Sequence, residues 1–280
     1  MKNYLGAFIT VLYMLCYQVF GPWETTTDYI IAGVLLFATG IPHGAGDHLI
    51  AKKIAARENL TFHLKPFIGF YLGIMLVYGL LWYLSPTISF IIFIGISVFH
   101  FGDMEDLSPI SQQNTLLQLT RTVSLGTGIL SFILVSHWPE VIGIISSMGV
   151  PVVKNLSPAF LFLSLIFLLL GFEKKNFTPF LNTFFTLVAG YFLPLIPAFI
   201  CYFSCCHAVY SFKGMQNRLE LNFLELYKKL LPFTLGALFI GLAYIILIFK
   251  DLKIYPIFIF LSLLTLPHFV LMHKLIKRPN

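Results

Sequence analysis

The stretch IIAGVLLFATGIPHGAGDH, residues 30–48, joins an apolar run to a short polar segment with two histidines and one aspartate. The apolar half has the composition of a helix that crosses a lipid bilayer, because such a helix needs about 20 mostly apolar residues. The polar half is typical either of a loop at the membrane surface or of a metal site. The rest of the sequence has to distinguish these two interpretations.

The whole chain shares this apolar character. Of its 280 residues, 58% are hydrophobic and 11% are charged, whereas a soluble domain carries about 25% charged residues. Phe occurs 30 times, and long runs contain no charge, which indicates helices in lipid. We therefore expect an all-α, polytopic transmembrane helical bundle with about 8–10 membrane segments. Residues 1–280 are expected to form a single integral-membrane domain.

Polar residues divide the apolar sequence into ten predicted spans. These cover residues 4–20, 29–47, 66–84, 86–101, 117–137, 157–172, 178–193, 195–212, 232–249 and 255–273. Several are shorter than the roughly 20 residues of a full crossing, which is compatible with tilted or re-entrant segments. Residues 141–153 are predicted to form a short interfacial helix.

The distribution of positive charge predicts the orientation. With ten crossings and a cytoplasmic N-terminus, most of the 18 lysine and arginine residues fall on the cytoplasmic side. This bias follows the positive-inside rule and places both termini in the cytoplasm. We expect a multi-pass protein of the cell (inner) membrane. The net charge of +6 is scattered among loops, so it does not indicate a nucleic-acid partner.

Four histidines approach the same membrane leaflet in this topology. His43, His100, His207 and His268 all lie on spans that run in the same direction. Ionisable side chains inside a membrane are costly and usually mark function. A single such histidine can simply bond a carbonyl group, but four imidazoles at one level can hold a transition metal. The pattern therefore predicts a buried metal centre.

The other histidines fit this centre less well. His63 and His137 are predicted to be surface histidines, one in a loop and one at the opposite interface. His48 follows His43 by five residues, so it lies on a different helical face. His273 precedes Lys274 and is expected to be interfacial.

Two aspartates follow the predicted ligands at helical spacing. Asp47 is four residues after His43, and Asp103 is three residues after His100, so each pair shares a helical face. A carboxylate that accepts the second ring N–H orients an imidazole and raises its basicity. The alternative is that both aspartates are ordinary acids at helix ends.

The order of four motifs resembles the Brp/Blh family. They are PHGAGD at 42–47, FHFGDMED at 99–106, YFSCCHAVYS at 202–211 and LPHFVLMH at 266–273. The resemblance covers most of the chain. It implies an integral-membrane, Fe(2+)-dependent dioxygenase that cleaves the central double bond of β-carotene with O₂ to give two molecules of retinal.

The resemblance also implies an iron-ligand set. His43, His100 and His207 match family positions regarded as ligands. The family often has a second histidine four residues after the third, and Ser211, a poor iron ligand, occupies that position here. His268 or water could complete the site. The same motifs are also compatible with a paralogue that binds a carotenoid without cleaving it.

Two other classes of protein are compatible with buried histidines. A membrane transition-metal transporter could use them as a transit site, although such transporters often show inverted repeats, and no repeat is visible in this sequence. A membrane haem protein could use them as axial ligands. The sequence assigns no substrate-binding residues and no oligomeric state.

Overall fold

A computed structural model describes residues 4–21, 25–105, 115–244, 246 and 254–276, and this part of the chain contains helices and no strand. The α-helices are α1 (Leu5–Phe20), α2 (Thr25–Leu35), α3 (Ile41–Ala45), α4 (Asp47–Arg57), α5 (Leu64–Leu84), α6 (Pro86–Glu105), α7 (Thr115–Ser136), α8 (Trp138–Ser147), α9 (Ala159–Leu170), α10 (Phe177–Gly190), α11 (Leu195–Tyr202), α12 (Ala208–Leu219), α13 (Phe223–Tyr244) and α14 (Ile254–Ile276). A first π segment, Leu36–Gly40, joins α2 to α3, and a second, Phe203–His207, joins α11 to α12.

Five helical stretches are long and apolar enough to cross a membrane. They are Thr26–Arg57, Leu64–Leu84, Leu116–Ser136, Leu195–Leu219 and Phe223–Ala243. Shorter apolar helices accompany them, at Leu5–Phe20, Pro86–Gly102, Ala159–Leu170 and Tyr255–Leu271. The predicted all-α membrane bundle is thereby confirmed. The number of helices that cross and the orientation of the termini stay predictions.

Each of the ten predicted spans contains a helix, but several helices continue past the predicted ends. The helical run that begins with α2 extends to Arg57, and α12 extends to Leu219. Helix α13 begins at Phe223, well before the predicted start at residue 232. The short helix expected at 141–153 is α8, which begins earlier and ends at Ser147.

The extensions are helical because they are amphipathic. Ile50, Met215, Leu226 and Leu230 are buried together in a small apolar cluster, while charged residues occupy the other faces of the same helices. Hydropathy alone places the end of a span where charges begin. A buried apolar stripe at helical spacing nevertheless continues the helix beyond that point.

Helices α6, α7 and α9 pack with their backbones in close approach. A Cβ atom on Gly126 of α7 would overlap the Val98 carbonyl of α6. A Cβ atom on Gly128 would lie 2.6 Å from the backbone nitrogen of Leu168 in α9. Small residues permit such contacts in membrane bundles, where helix association depends on van der Waals packing. This packing fixes α6, which carries His100.

Hydrogen bonds inside the apolar core hold α5, α6 and α14 together. The Tyr78 hydroxyl donates to the Ser89 carbonyl at 2.8 Å, and the Trp82 indole N–H donates to the Ser262 hydroxyl at 2.8 Å. Both aromatic side chains are buried, so each polar group finds the partner that burial requires. The Trp82 contact docks α14, the helix that carries His268, against α5.

We expect Gly126→Ala to lower stability. The added methyl group cannot be accommodated against Val98 without a shift of α6 from α7, and overpacking of this kind costs about 1–3 kcal/mol. Gly95→Ala in α6 is the matched control, since nothing lies within 4 Å of its Cβ position. The thermal unfolding midpoint of the detergent-solubilised protein measures both. Equal midpoints for the two variants would contradict the close approach of α6 and α7.

Candidate metal centre

Four of the predicted site histidines meet inside the bundle. His43 lies on α3, His100 on α6, His207 at the end of the second π segment and His268 on α14. Each is at most 4% exposed. The distances between ring centroids run from 4.5 Å for His43 and His268 to 5.6 Å for His43 and His100. The structure therefore brings together side chains from four elements that are far apart in the sequence.

The ring nitrogens lie within or slightly beyond the separation at which two imidazoles share an ion. Two imidazole nitrogens bound to one ion at about 2.1 Å each are separated by at most about 4.2 Å. The Nε2 atoms of His100 and His207 are 3.1 Å apart, which is within this limit. One ring nitrogen each from His43, His100 and His268 lie within 4.8 Å of one another, which is near it.

Several of these nitrogens have no hydrogen-bond partner among the described residues. They are both ring nitrogens of His43, Nδ1 of His207 and Nε2 of His268. A buried polar atom without a partner costs about 1–3 kcal/mol. A cation that accepted the nitrogen lone pairs would remove part of this cost. The donor set, made only of imidazole nitrogen, fits a transition metal such as iron or zinc.

The two π segments place His43 and His207. They pack against each other, with the Thr39 hydroxyl donating to the Ser204 carbonyl at 2.9 Å. Gly40 permits this contact, because a Cβ atom there would lie 2.9 Å from the Phe203 ring. A π turn inserts an extra residue into a helix and changes the direction of the side chains that follow. The irregular turns thus aim both histidines at the same point.

Aromatic rings pack against the imidazoles of His43 and His207. Phe203 stacks on His207 with centroids 5.6 Å apart and meets the His43 ring edge-on at 6.1 Å. Phe101 contacts His207 edge-on at 4.8 Å. These walls keep the centre apolar and restrict the access of water.

Asp47 contacts a different histidine from the one its spacing predicts. Its Oδ1 atom lies 2.6 Å from Nδ1 of His268, whereas the sequence pairs it with His43. The reason is local: α3 ends at Ala45, Gly46 forms a turn and α4 begins at Asp47. The four-residue spacing therefore does not run along one continuous helix.

Tyr71 is a neighbour of the site whose contact with Asp47 the sequence did not predict. Its hydroxyl donates to the second Asp47 oxygen, Oδ2, at 2.9 Å. No spacing signal connects Tyr71 on α5 with Asp47, so only the tertiary structure reveals the contact.

The remaining predicted residues either form no hydrogen bond or ring contact with the cluster within the described structure or have side chains outside it. Ser211 is 3% exposed, one turn beyond His207, and its hydroxyl has no partner among the described residues. The side chains of Asp103 and His273 fall outside the described part of the structure. His48 stacks on Phe233 at 3.9 Å, away from the four rings.

The prediction for His137 was wrong, whereas His63 is exposed as expected. His137 is 6% exposed. Its Nε2 atom lies 2.8 Å from the Leu193 carbonyl oxygen, and its Nδ1 atom lies 2.9 Å from the Ser136 hydroxyl and 2.8 Å from the Ile133 carbonyl oxygen. A neutral imidazole that donates to Leu193 and accepts from Ser136 has partners at both nitrogens, so it can be buried as a structural group, and a position near a predicted helix end does not reveal this.

The fold and the site together define a helical membrane protein with a buried histidine cluster suited to a transition metal. Residues 34–276 match the sequence model of the family described as beta-carotene 15,15'-dioxygenase. The chain belongs to this family, and the resemblance drawn from its motifs is confirmed. Comparisons with curated proteins and with solved structures gave no match.

We expect Thr39→Val to destabilise the protein by about 0.5–1.5 kcal/mol, the usual worth of one hydrogen bond. The substitution keeps the side-chain shape but removes the hydroxyl, whose proton has two acceptors within reach: the Ser204 carbonyl of the second π segment at 2.9 Å and the Leu35 carbonyl of its own helix at 3.1 Å. Thr265→Val is the matched control, because Thr265 is also half-buried and its hydroxyl bonds the Leu261 carbonyl of its own helix. Chemical or thermal unfolding compares the two. A Thr39→Val protein as stable as the control would rule out a structural role for this contact.

Proposed function

We propose that this chain is an iron-dependent oxygenase that cleaves the central double bond of β-carotene with O₂ to give two molecules of retinal. The main support is the convergence of four buried imidazoles in a member of a dioxygenase family. In the overall reaction the carbon–carbon double bond breaks, and each carbon gains one oxygen atom as an aldehyde. Both atoms of O₂ are thereby used.

The proposed ligands of Fe(2+) are His43, His100, His207 and His268. Neutral imidazoles bind ferrous iron well. His43 and His268 offer it nitrogens without a partner among the described residues, and the Nε2 atoms of His100 and His207, 3.1 Å apart, would bind it in place of their mutual contact. When bound, the ion supplies the activation of O₂ that an alkene requires. Ser211 lies where the family often has a further histidine. His268, from α14, replaces that ligand in our proposal.

The protein contributes position and exclusion of water. Asp47 orients the His268 ring, while Phe101 and Phe203 line the cluster with apolar surface. A cofactor site gains its selectivity from such placement and from the exclusion of competing reactions.

The surroundings suit the proposed substrate. β-Carotene dissolves in lipid, so a bundle of membrane helices can receive it without an aqueous stage. We propose that residues 1–280 act as one integral-membrane domain in the cell membrane. The partners are then β-carotene, O₂ and the bilayer.

We expect the purified protein to contain about one iron per chain and to convert β-carotene to retinal in air. Elemental analysis and product chromatography measure the two quantities. With ¹⁸O₂, both retinal molecules should carry the label. Bound iron with an intact polyene would indicate a non-cleaving carotenoid-binding paralogue. A haem absorption band, or histidine-dependent metal uptake into proteoliposomes, would favour the haem protein or the transporter.

We expect His43→Ala, His100→Ala, His207→Ala and His268→Ala each to lose most of the bound iron and to form little or no retinal. Each substitution removes one nitrogen donor from a small set. His63→Ala is the control, since His63 is exposed whereas the four cluster histidines are buried.

The Ser211→Ala variant tests whether Ser211 or His268 supplies the fourth ligand. The variant should keep its iron if His268 completes the site, because a hydroxyl is then not needed for binding. Normal iron content in His268→Ala together with loss in Ser211→Ala would reverse the assignment. Metal analysis on the same preparations distinguishes the two results.

A further inference from the structure

Tyr71, Asp47 and His268 form a chain of hydrogen bonds that ends at the histidine cluster. The Tyr71 hydroxyl is 2.9 Å from Asp47 Oδ2, and Asp47 Oδ1 is 2.6 Å from His268 Nδ1. The three residues come from α5, α4 and α14. Asp47 and His268 are 3% and 4% exposed, so bulk water does not compete for these bonds.

The roles of donor and acceptor follow from the chemistry of the groups. An ionised carboxylate only accepts hydrogen bonds, so Nδ1 of His268 carries the proton that points at Asp47. In a neutral imidazole with its proton on Nδ1, the other ring nitrogen, Nε2, has a lone pair. Nε2 is buried and has no partner among the described residues. The carboxylate thus selects the tautomer that an ion needs.

Tyr71 completes the environment of this carboxylate. Its single hydroxyl proton has two acceptors within reach, Asp47 Oδ2 at 2.9 Å and the Leu264 carbonyl at 3.3 Å. The shorter contact to the charged acceptor is the stronger one. In the described part of the chain, Asp47 forms no ion pair with a lysine or arginine. Tyr71 is therefore one of two side-chain donors to Asp47 among the described residues.

The position of Tyr71 also bears on α14 itself. Pro267, directly before His268, lacks an N–H group and removes one hydrogen bond from the helix at that point. The tyrosine oxygen lies against this same turn, near Leu264. A ligand on a weakened helix turn depends more strongly on contacts from outside the helix.

We propose that Tyr71 is a positioning residue of the metal centre. Its hydroxyl holds the Asp47 carboxylate, and the carboxylate in turn holds the His268 ring with Nε2 available to the ion. This inference rests on the metal centre of the proposed function and assigns Tyr71 a role through Asp47. Tyr71 itself touches neither the ion nor the polyene in this role.

Metal retention tests the proposal directly. The protein, loaded with Fe(2+) without oxygen, is mixed with excess chelator, and the rate of iron loss is followed. Loss of an outer partner of a ligand usually weakens metal affinity about 10–100-fold. We expect Tyr71→Phe to accelerate iron loss by about 10-fold and Asp47→Asn by more. A sample loaded with Co(2+) should show altered visible absorption bands in both variants.

Tyr78→Phe is the matched control. Tyr78 lies on the same helix, is buried and donates one hydrogen bond, to the Ser89 carbonyl, but it does not contact the cluster. It should retain iron and keep the cobalt spectrum of the parent protein. Iron loss from Tyr78→Phe as fast as from Tyr71→Phe would overturn the proposal, because the effect would then reflect general loosening of α5.

The double variant distinguishes an effect through Asp47 from an independent one. If Tyr71 acts only through the carboxylate, Tyr71→Phe should change iron loss little in an Asp47→Asn background, and the two effects will not add. Additive effects would overturn the proposed chain. The single Tyr71→Phe comparison with Tyr78→Phe stands by itself if the Asp47 variants do not fold.

The readouts also separate this inference from the proposed reaction. Iron held in a Tyr71-dependent manner without retinal formation would contradict the reaction and support the positioning role. Retinal formation with equal iron retention in the parent and Tyr71→Phe would overturn the positioning role alone.

Discussion

The site depends on one constraint, which is that imidazole nitrogens buried in an apolar helical bundle need partners. Among the four rings the structure shows one short nitrogen–nitrogen contact, between His100 and His207. His43 has no hydrogen bond at either nitrogen within the described region. Burial without partners is unfavourable for each such atom. In the proposed centre, a single cation binds several of these nitrogens and offsets several of these penalties at once. Without it, each nitrogen would need its own hydrogen-bond partner.

The backbone is irregular beside the buried histidines of the cluster. Both π segments, the turn at Gly46 and the proline before His268 lie next to cluster residues. Side chains leave a regular helix at fixed intervals, so a local departure from regular geometry changes the point at which a donor is aimed. Local departures from ideal geometry are expected at functional sites, where other parts of the fold compensate for their cost. Here the close packing around Gly126 and Gly128 provides rigid support.

The sequence could predict the bundle and the membership of the cluster because both follow from simple regularities. Apolar runs of sufficient length define helices in a membrane, and alternate crossings share a direction. Histidines on spans of the same direction, at similar distance from one end, therefore approach one level. The same reasoning could not find the partner of Asp47, which lies 221 residues away. That contact depends on the Gly46 turn and on the docking of α14, and the spacing of residues in the sequence predicts neither.

The location of His268 has a further consequence for folding. A second ligand at position 211 would lie one turn from His207, and both donors would belong to one segment of chain. With Ser211 in that place, the proposed fourth donor comes from the last described helix, α14. That helix is docked by Trp82 through Ser262 and by Asp47. Because ligands must be assembled before an ion binds tightly, metal binding and folding are linked. In the proposed centre, iron binding therefore stabilises the association of α14 with helices from the first half of the chain.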